Sequence, residues 1–185
     1  AFDYFFGLGR ALLDENDIRD ALDAFELALT AVGWQADWLN DVGTECAWRG
    51  LLDAAELYYR QALGKAPDAA YIRRNLARTL MQRGNWQEAH EHLEIVLSER
   101  PEDYAALRLS ARTLRNLGRY KLALARLDRA ARRYPNNASI YREMSAIYGI
   151  NLGNAEAAQR FAEKADHLEG TAAATAPPAH DGQAI

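Results

Sequence analysis

Arginine is the residue whose placement suggests chemistry in this chain. Arg74 and Arg78, and again Arg108 and Arg112, stand four residues apart; Arg142 continues the series 34 residues after Arg108, and Arg115 adds a charge one turn beyond Arg112. On a helix, positions i and i+4 share a face, so each pair sets two guanidinium groups side by side. Like charges at that spacing repel unless an anion lies between them, and guanidinium holds carboxylate or phosphate in bidentate fashion. The series reads as a receptor for an acidic ligand. The competing reading is a set of ordinary solvated residues, since arginine is a good helix former.

Other chemistry is sparse. The sequence has no glycine-rich phosphate loop, no Ser, His and Asp set in a recognisable local motif, and no zinc-type spacing. His90 and His92 are two residues apart, which puts them on different sides of a helix where a metal pair needs three or four; both are expected on an outer helix face. Asp14, Glu15, Asp17, Asp20, Asp23 and Glu26 run as a solvated face would, and His180 reads as a solvated tail residue. Cys46 stands alone, so no disulfide or thiolate metal site forms within one chain. The expectation is a protein that is not an enzyme and takes no cofactor or metal.

The elements that position the arginines are set by a 34-residue period. Pro67, Pro101 and Pro135 fall at that spacing, and so do Gly50, Gly84 and Gly118, and Ala55, Ala89 and Ala123. Apolar residues recur at three- and four-residue intervals with no strand-like alternation, so the chain is all-α. The glycines permit the left-handed backbone that ends a helix, and the prolines discourage a second helix from running on. Small residues at Gly9, Gly43, Ala77, Ala111 and Ser145, facing Ala21, Ala55, Ala89 and Ala123, let paired helices approach closely.

This period, with Leu39, Gly43, Cys46, Ala55, Tyr59, Ala62 and Pro67 in one unit and the matching residues in the next two, resembles the tetratricopeptide repeat family. The resemblance implies a right-handed α-solenoid of tandem helix-turn-helix units at about 2–35, 36–69, 70–103, 104–137 and 138–171. Three irregularities stand out. Arg73 is a misfit at a large apolar position, Gly33 stands where proline is expected, and Gly153 arrives one residue late, so the fifth unit fits only with an insertion near Asn151. One repeat domain over 1–170 is expected, followed by a disordered tail or linker over 171–185.

In the family, certain first-helix positions line a concave groove that holds peptides. Carried over, these include Asn40 and Thr44, Arg74 and Arg78, Arg108 and Arg112, and Arg142, with Trp48 and Tyr71 at neighbouring groove positions. Family members that hold a terminal carboxylate use a five-residue clamp. Asn75, Arg108 and Arg112 suit its last three positions, whereas Asn40 and Thr44 lack the cation of the first two. Residues 1–69 carry 5 basic and 13 acidic side chains against 17 and 12 in residues 70–171, so the net charge of −4 hides a dipole. An extended ligand would set acidic residues against the arginines and an apolar anchor near Trp48 and Tyr71, with basic residues toward Asp37 and Asp41.

The leading expectation is an adaptor or scaffold that binds an acidic peptide or helix of a partner protein. The alternatives are a homo-oligomeric assembly driven by an exposed Phe2, Phe5 and Phe6 face and the charge dipole, and single-stranded nucleic acid binding on the arginine row. The last is disfavoured by the acidic pI near 5.6 and by the scarcity of aromatic platforms among the arginines. No apolar run approaches a membrane span of about 20 residues. The chain opens without Met directly into its aromatic first helix, and an upstream continuation fits that opening. A cytoplasmic location is expected, with the periplasm left open.

Overall fold

At the end of each first helix in repeats two to four the backbone turns through a glycine with positive φ: 77° at Gly50, 82° at Gly84 and 73° at Gly118. The glycine amide and the one after it fold back on the helix in the same way each time. Gly50 N–H donates to Ala47 O and Leu51 N–H to Cys46 O; Gly84 and Asn85 donate to Met81 and Leu80; Gly118 and Arg119 donate to Arg115 and Leu114. Asn16 fills this position in the first repeat at φ 63°, which its short polar side chain tolerates. The computed structural model describes residues 1–175.

Five helix pairs result. They are α1 (Phe2–Asp14) and α2 (Ile18–Val32), α3 (Ala36–Trp48) and α4 (Leu52–Lys65), α5 (Ala70–Gln82) and α6 (Trp86–Glu99), α7 (Tyr104–Asn116) and α8 (Tyr120–Arg133), and α9 (Ala138–Ala146) and α10 (Ala155–Thr175). No strand occurs among the described residues. The chain divides into two compact units, the first Ala1–Leu109 and the second from Ser110 onward, with the boundary inside α7.

In the first unit the small positions act as expected. A Cβ on Gly9 would lie 2.5 Å from the Phe25 ring, and one on Gly43 would lie 3.0 Å from the Tyr59 ring. Phe25, Tyr59 and Leu93 fall 34 residues apart and are all buried, as are Ala21, Ala55 and Ala89. Gly33 ends α2 in the left-handed conformation at φ 77°, which replaces the proline as a helix stop. Arg73 has a role that its misfit did not suggest. Its guanidinium donates to the Pro67 carbonyl oxygen, and in the second unit Tyr141, 68 residues on, makes the corresponding bond to Pro135 O at 2.9 Å.

The aromatic face expected to be exposed is largely covered. Phe2 is buried against Trp38, with ring centroids 4.2 Å apart, and Phe6 packs on Phe2 and Phe25. Trp38 comes from the next repeat, so the first helix is capped from the side that the sequence pattern did not reveal. Tyr4 and Leu8 are the exposed large apolar residues of α1.

In the second unit, the late Gly153 has a structural cause. Residues Ile147–Asn151 form a π-helical turn at the end of α9, which absorbs one extra residue, and Gly153 then turns at φ 65°. Gly149 lies against Ala158, and Ser145 Oγ donates to Ala158 O at 2.7 Å, so the small positions still hold the pair together. Helix α10 runs to Thr175, past the expected start of the tail at Thr171. The TAAAT stretch lacks an amphipathic period but is alanine-rich, and alanine is the best helix former. The remainder of the expected tail, with His180, lies outside the described residues.

Candidate functional site

Between α3 and α5, the first helices of repeats two and three, the first unit opens a cleft of about 300 Å³. Thr44, Ala47 and Trp48 line it from α3, Tyr59 from α4, and Asn75, Arg78, Thr79 and Gln82 from α5. Its floor is a connected set of hydrogen bonds. Asn75 Nδ2 donates to Asn40 Oδ1 at 2.9 Å, Thr44 Oγ1 to Asn40 O at 2.8 Å, and the Tyr59 hydroxyl to Thr44 Oγ1 at 3.0 Å. Burial pushes the Tyr59 hydroxyl above its ordinary range, against the opposing effects of Thr44 and Arg78, so it stays a donor.

The walls differ from the floor. Trp48 is 84% exposed, unlike Trp38 of the same helix, which packs on Phe2. Arg78 is exposed and makes no ion pair or hydrogen bond among the described residues. A solvated indole and an uncommitted guanidinium thus share one cleft over a rigid polar floor. This arrangement can take an anionic group at Arg78 and an apolar or planar group at Trp48.

The arginine series is not an uninterrupted receptor. Arg74 donates to Asp103 Oδ2, and Asp103 Oδ1 in turn accepts from Ala106 N–H at 2.9 Å at the start of α7. Arg108 lies over the Tyr104 ring, 5.6 Å from its centroid. In the second unit Arg142 grips Glu169 with both carboxylate oxygens, at 2.8 and 2.5 Å, and reaches Asp166 at 2.8 Å. Those two acids, Glu169 foremost, push Arg142 still further above its ordinary range, and Arg142 in turn holds the Glu169 carboxyl below the usual carboxylate range. Arg112 is exposed and Arg115 half-buried, without an ion pair among the described residues.

Tyr71 and Trp48 do not form a joint anchor. The Tyr71 hydroxyl donates to Asp37 Oδ1, and that bond first, with burial second, pushes it up to about 12. Asp37 and Trp48 sit at opposite ends of α3, about 16 Å apart along the axis. Asp37 is therefore already engaged, and Asp41, its carboxyl raised chiefly by burial, is the other acid on that face.

Sequence reasoning missed Tyr59, Ala47, Thr79 and Gln82 as cleft residues, and Asp103, Asp166 and Glu169 as acids that claim arginines. Asp103 carried a signal, because it fills the residue before a first helix where the other repeats have Ala69 and Asn137. A second, shallower cleft of about 530 Å³ lies in the second unit beside Tyr134, Pro135, Ala138 and Leu168. His90 and His92 are not on an open face as expected: both are half-buried, and His92 Nδ1 lies 3.5 Å from Arg73. Among the described residues no His, Cys, Asp and Glu group could hold a metal ion, and no helix is long and apolar enough to cross a membrane.

The tetratricopeptide repeat pattern matches residues 49–89 and 74–138, and the helix pairs on either side continue the period, the last with one residue inserted. The chain belongs to the tetratricopeptide repeat family. Its fold is the all-α, tandem helix-turn-helix class of the α-solenoids. Solved structures share it at low identity. MamA from Desulfovibrio magneticus RS-1 matches at 15% identity and a TM-score of 0.77, covering 92% of this chain and 96% of that one. MamA AMB-1 matches at 22% and 0.72, covering 91% and 99%, and a further MamA structure at 17% and 0.76, covering 90% and 96%. No curated protein matches the sequence. Tetratricopeptide repeat proteins are in general non-enzymatic interaction modules, and this fold supports a protein–protein interaction or scaffold role.

Proposed function

We propose that this chain is an adaptor whose cleft between α3 and α5 binds an acidic segment of a partner protein. The observation that carries the reading is Arg78, an exposed guanidinium with no ion pair or hydrogen bond among the described residues, in the same cleft as the exposed Trp48. A carboxylate on Arg78 would gain a charge-assisted hydrogen bond, while a neighbouring apolar or proline ring would cover the indole. The fixed Asn40, Thr44, Tyr59 and Asn75 floor lowers the cost of ordering the site on binding. Arg112 and Arg115 of the second unit are further cations available to an acidic ligand, whereas Arg74, Arg108 and Arg142 chiefly support the fold. The chain is placed in the cytoplasm on this reading.

The test is affinity capture from the native lysate with wild type beside Arg78→Glu, the retained proteins being identified by mass spectrometry. A protein with an acidic segment retained only by wild type supports the reading, and identical sets sink it.

Self-association is a second reading that one observation favours. Residues 1–109 carry 11 basic and 19 acidic side chains, and residues 110–171 carry 11 and 6, so the two units have opposite net charge. Light scattering that shows a salt-sensitive rise in mass with concentration would support it, and a constant monomer mass would exclude it.

A further inference from the structure

We propose that the outer face of α8 is a docking surface for an anionic phospholipid membrane. Five of the fourteen residues of α8 are Lys or Arg, against the single acid Asp128, and Arg119 directly precedes the helix. At 100° per residue, Lys121, Arg126, Arg129, Arg132 and Arg133 fall within an arc of about 140°, opposite the buried Ala123, Leu127 and Ala130. Arg119, Lys121, Arg132 and Arg133 are exposed. Arg132 pairs with Asp128 at 2.7 Å, and Arg133 lies over the exposed Tyr134 ring. Arg119 and Lys121 make no ion pair among the described residues.

The occupant follows from charge and from what lies among the cations. Residues 110–171 carry five more basic than acidic side chains, so the unit that holds α8 is attracted to polyanions while the chain as a whole is acidic. Clusters of four to eight Lys and Arg on an amphipathic helix suit the negative surface of a bilayer. In the middle of the arc stands Leu122, 55% exposed, with Ala125 beside it. An exposed leucine gains nothing on a phosphate backbone but gains by entering the boundary between headgroups and acyl chains, with the long basic side chains reaching back to the headgroups. A nucleic acid would call for aromatic platforms among the cations, and within the arc there are none. A peptide would call for a groove, and neither cleft described above is lined by these cations.

The surface is separate from the cleft between α3 and α5 and does not rest on the function proposed for it. Its test is co-sedimentation of the full chain with vesicles of phosphatidylcholine mixed with phosphatidylserine, against phosphatidylcholine alone. The expected result is binding to the mixed vesicles only, weakening with salt, and reduced about tenfold or more by Lys121→Glu with Arg133→Glu. Leu122→Asn should weaken binding without changing its salt dependence. Circular dichroism checks that each variant folds, and Lys121→Gln with Arg133→Gln carries the test if the reversal does not. The proposal is overturned by absence of binding to the mixed vesicles, by equal binding to both vesicle types, or by variants that bind as wild type does. Displacement of the chain from vesicles by a duplex DNA oligonucleotide at equal phosphate concentration would assign the face to nucleic acid instead.

Discussion

Arg74 and Asp103 are joined by an ion pair, so the first arginine of the groove series is bound to the residue that caps the next repeat. The pair ties α5 to the start of α7 and removes Arg74 from the set of cations open to a ligand. The sequence spacing of Arg74 and Arg78 suggests two equivalent groups. Their environments make them different: one is a structural clasp and the other an exposed contact.

Asp103→Ala tests this division. Loss of the cap on α7 should cost about 0.5–2 kcal/mol in chemical denaturation. The same change frees Arg74, so affinity for an acidic peptide should rise. A variant of unchanged stability would contradict the capping role.

Gly9→Ala should destabilise by about 1–3 kcal/mol through overpacking against Phe25, partly offset by the better helix propensity of alanine, about 1 kcal/mol. Gly43→Ala meets the Tyr59 ring at a longer distance and should be milder. Melting temperatures of the two variants give the comparison, and the reverse order would show that the close approach of α1 and α2 is not as described.

Below neutral pH, His92 should weaken the fold. Burial first, then Arg73 and to a smaller degree Arg60, lower its pKa against the opposing pull of Glu88 and Glu91. The folded state therefore disfavours the imidazolium that the unfolded chain accepts from its ordinary pKa of 6.5 downward. Stability contributed by neutral His92 is complete above that pH and is lost as pH falls toward the lowered folded value. Thermal melts of wild type and His92→Gln from pH 7.5 down to about 5.5 should diverge, wild type losing more over this window.

Cys46 is fully buried, and burial pushes its thiol up to about 12. It should fail to react with a thiol reagent at mildly alkaline pH in the folded protein and react once denaturant is added. Rapid reaction of the native chain would mean that α3 opens easily.

The repeat scaffold was readable because its constraints are local and periodic. The positive-φ glycines, the small residues at Gly9 and Gly43, and the late Gly153 each announce a turn, a close approach or an insertion within one helix pair. The π-helical turn at Ile147–Asn151 is the structural form of that one-residue delay. Contacts of charged and aromatic side chains that reach beyond their own helix were harder to read. Arg74 and Asp103 are 29 residues apart, Arg142 and Glu169 are 27 apart, and Phe2 finds Trp38 across a repeat boundary, so none of these pairs shares a helix. Arg73 looked like an error in an apolar slot because its bond to the Pro67 carbonyl depends on backbone geometry that the pattern of side chains does not encode. The pattern marks Tyr59 only as a repeat position, and it does not show that the hydroxyl joins the cleft floor.

The most direct test of the central claim is fluorescence anisotropy with three labelled peptide pools that differ only in a fixed central pair, Glu-Glu, Gln-Gln or Lys-Lys. The wild-type chain should bind the Glu-Glu pool saturably and in preference to the other two. Arg78→Glu should weaken that binding by about tenfold or more with helicity unchanged, since losing a charge-assisted contact costs about 1.5–3 kcal/mol. Equal affinity for the three pools, or an Arg78→Glu chain that binds as wild type does, would contradict an acidic-ligand cleft between α3 and α5.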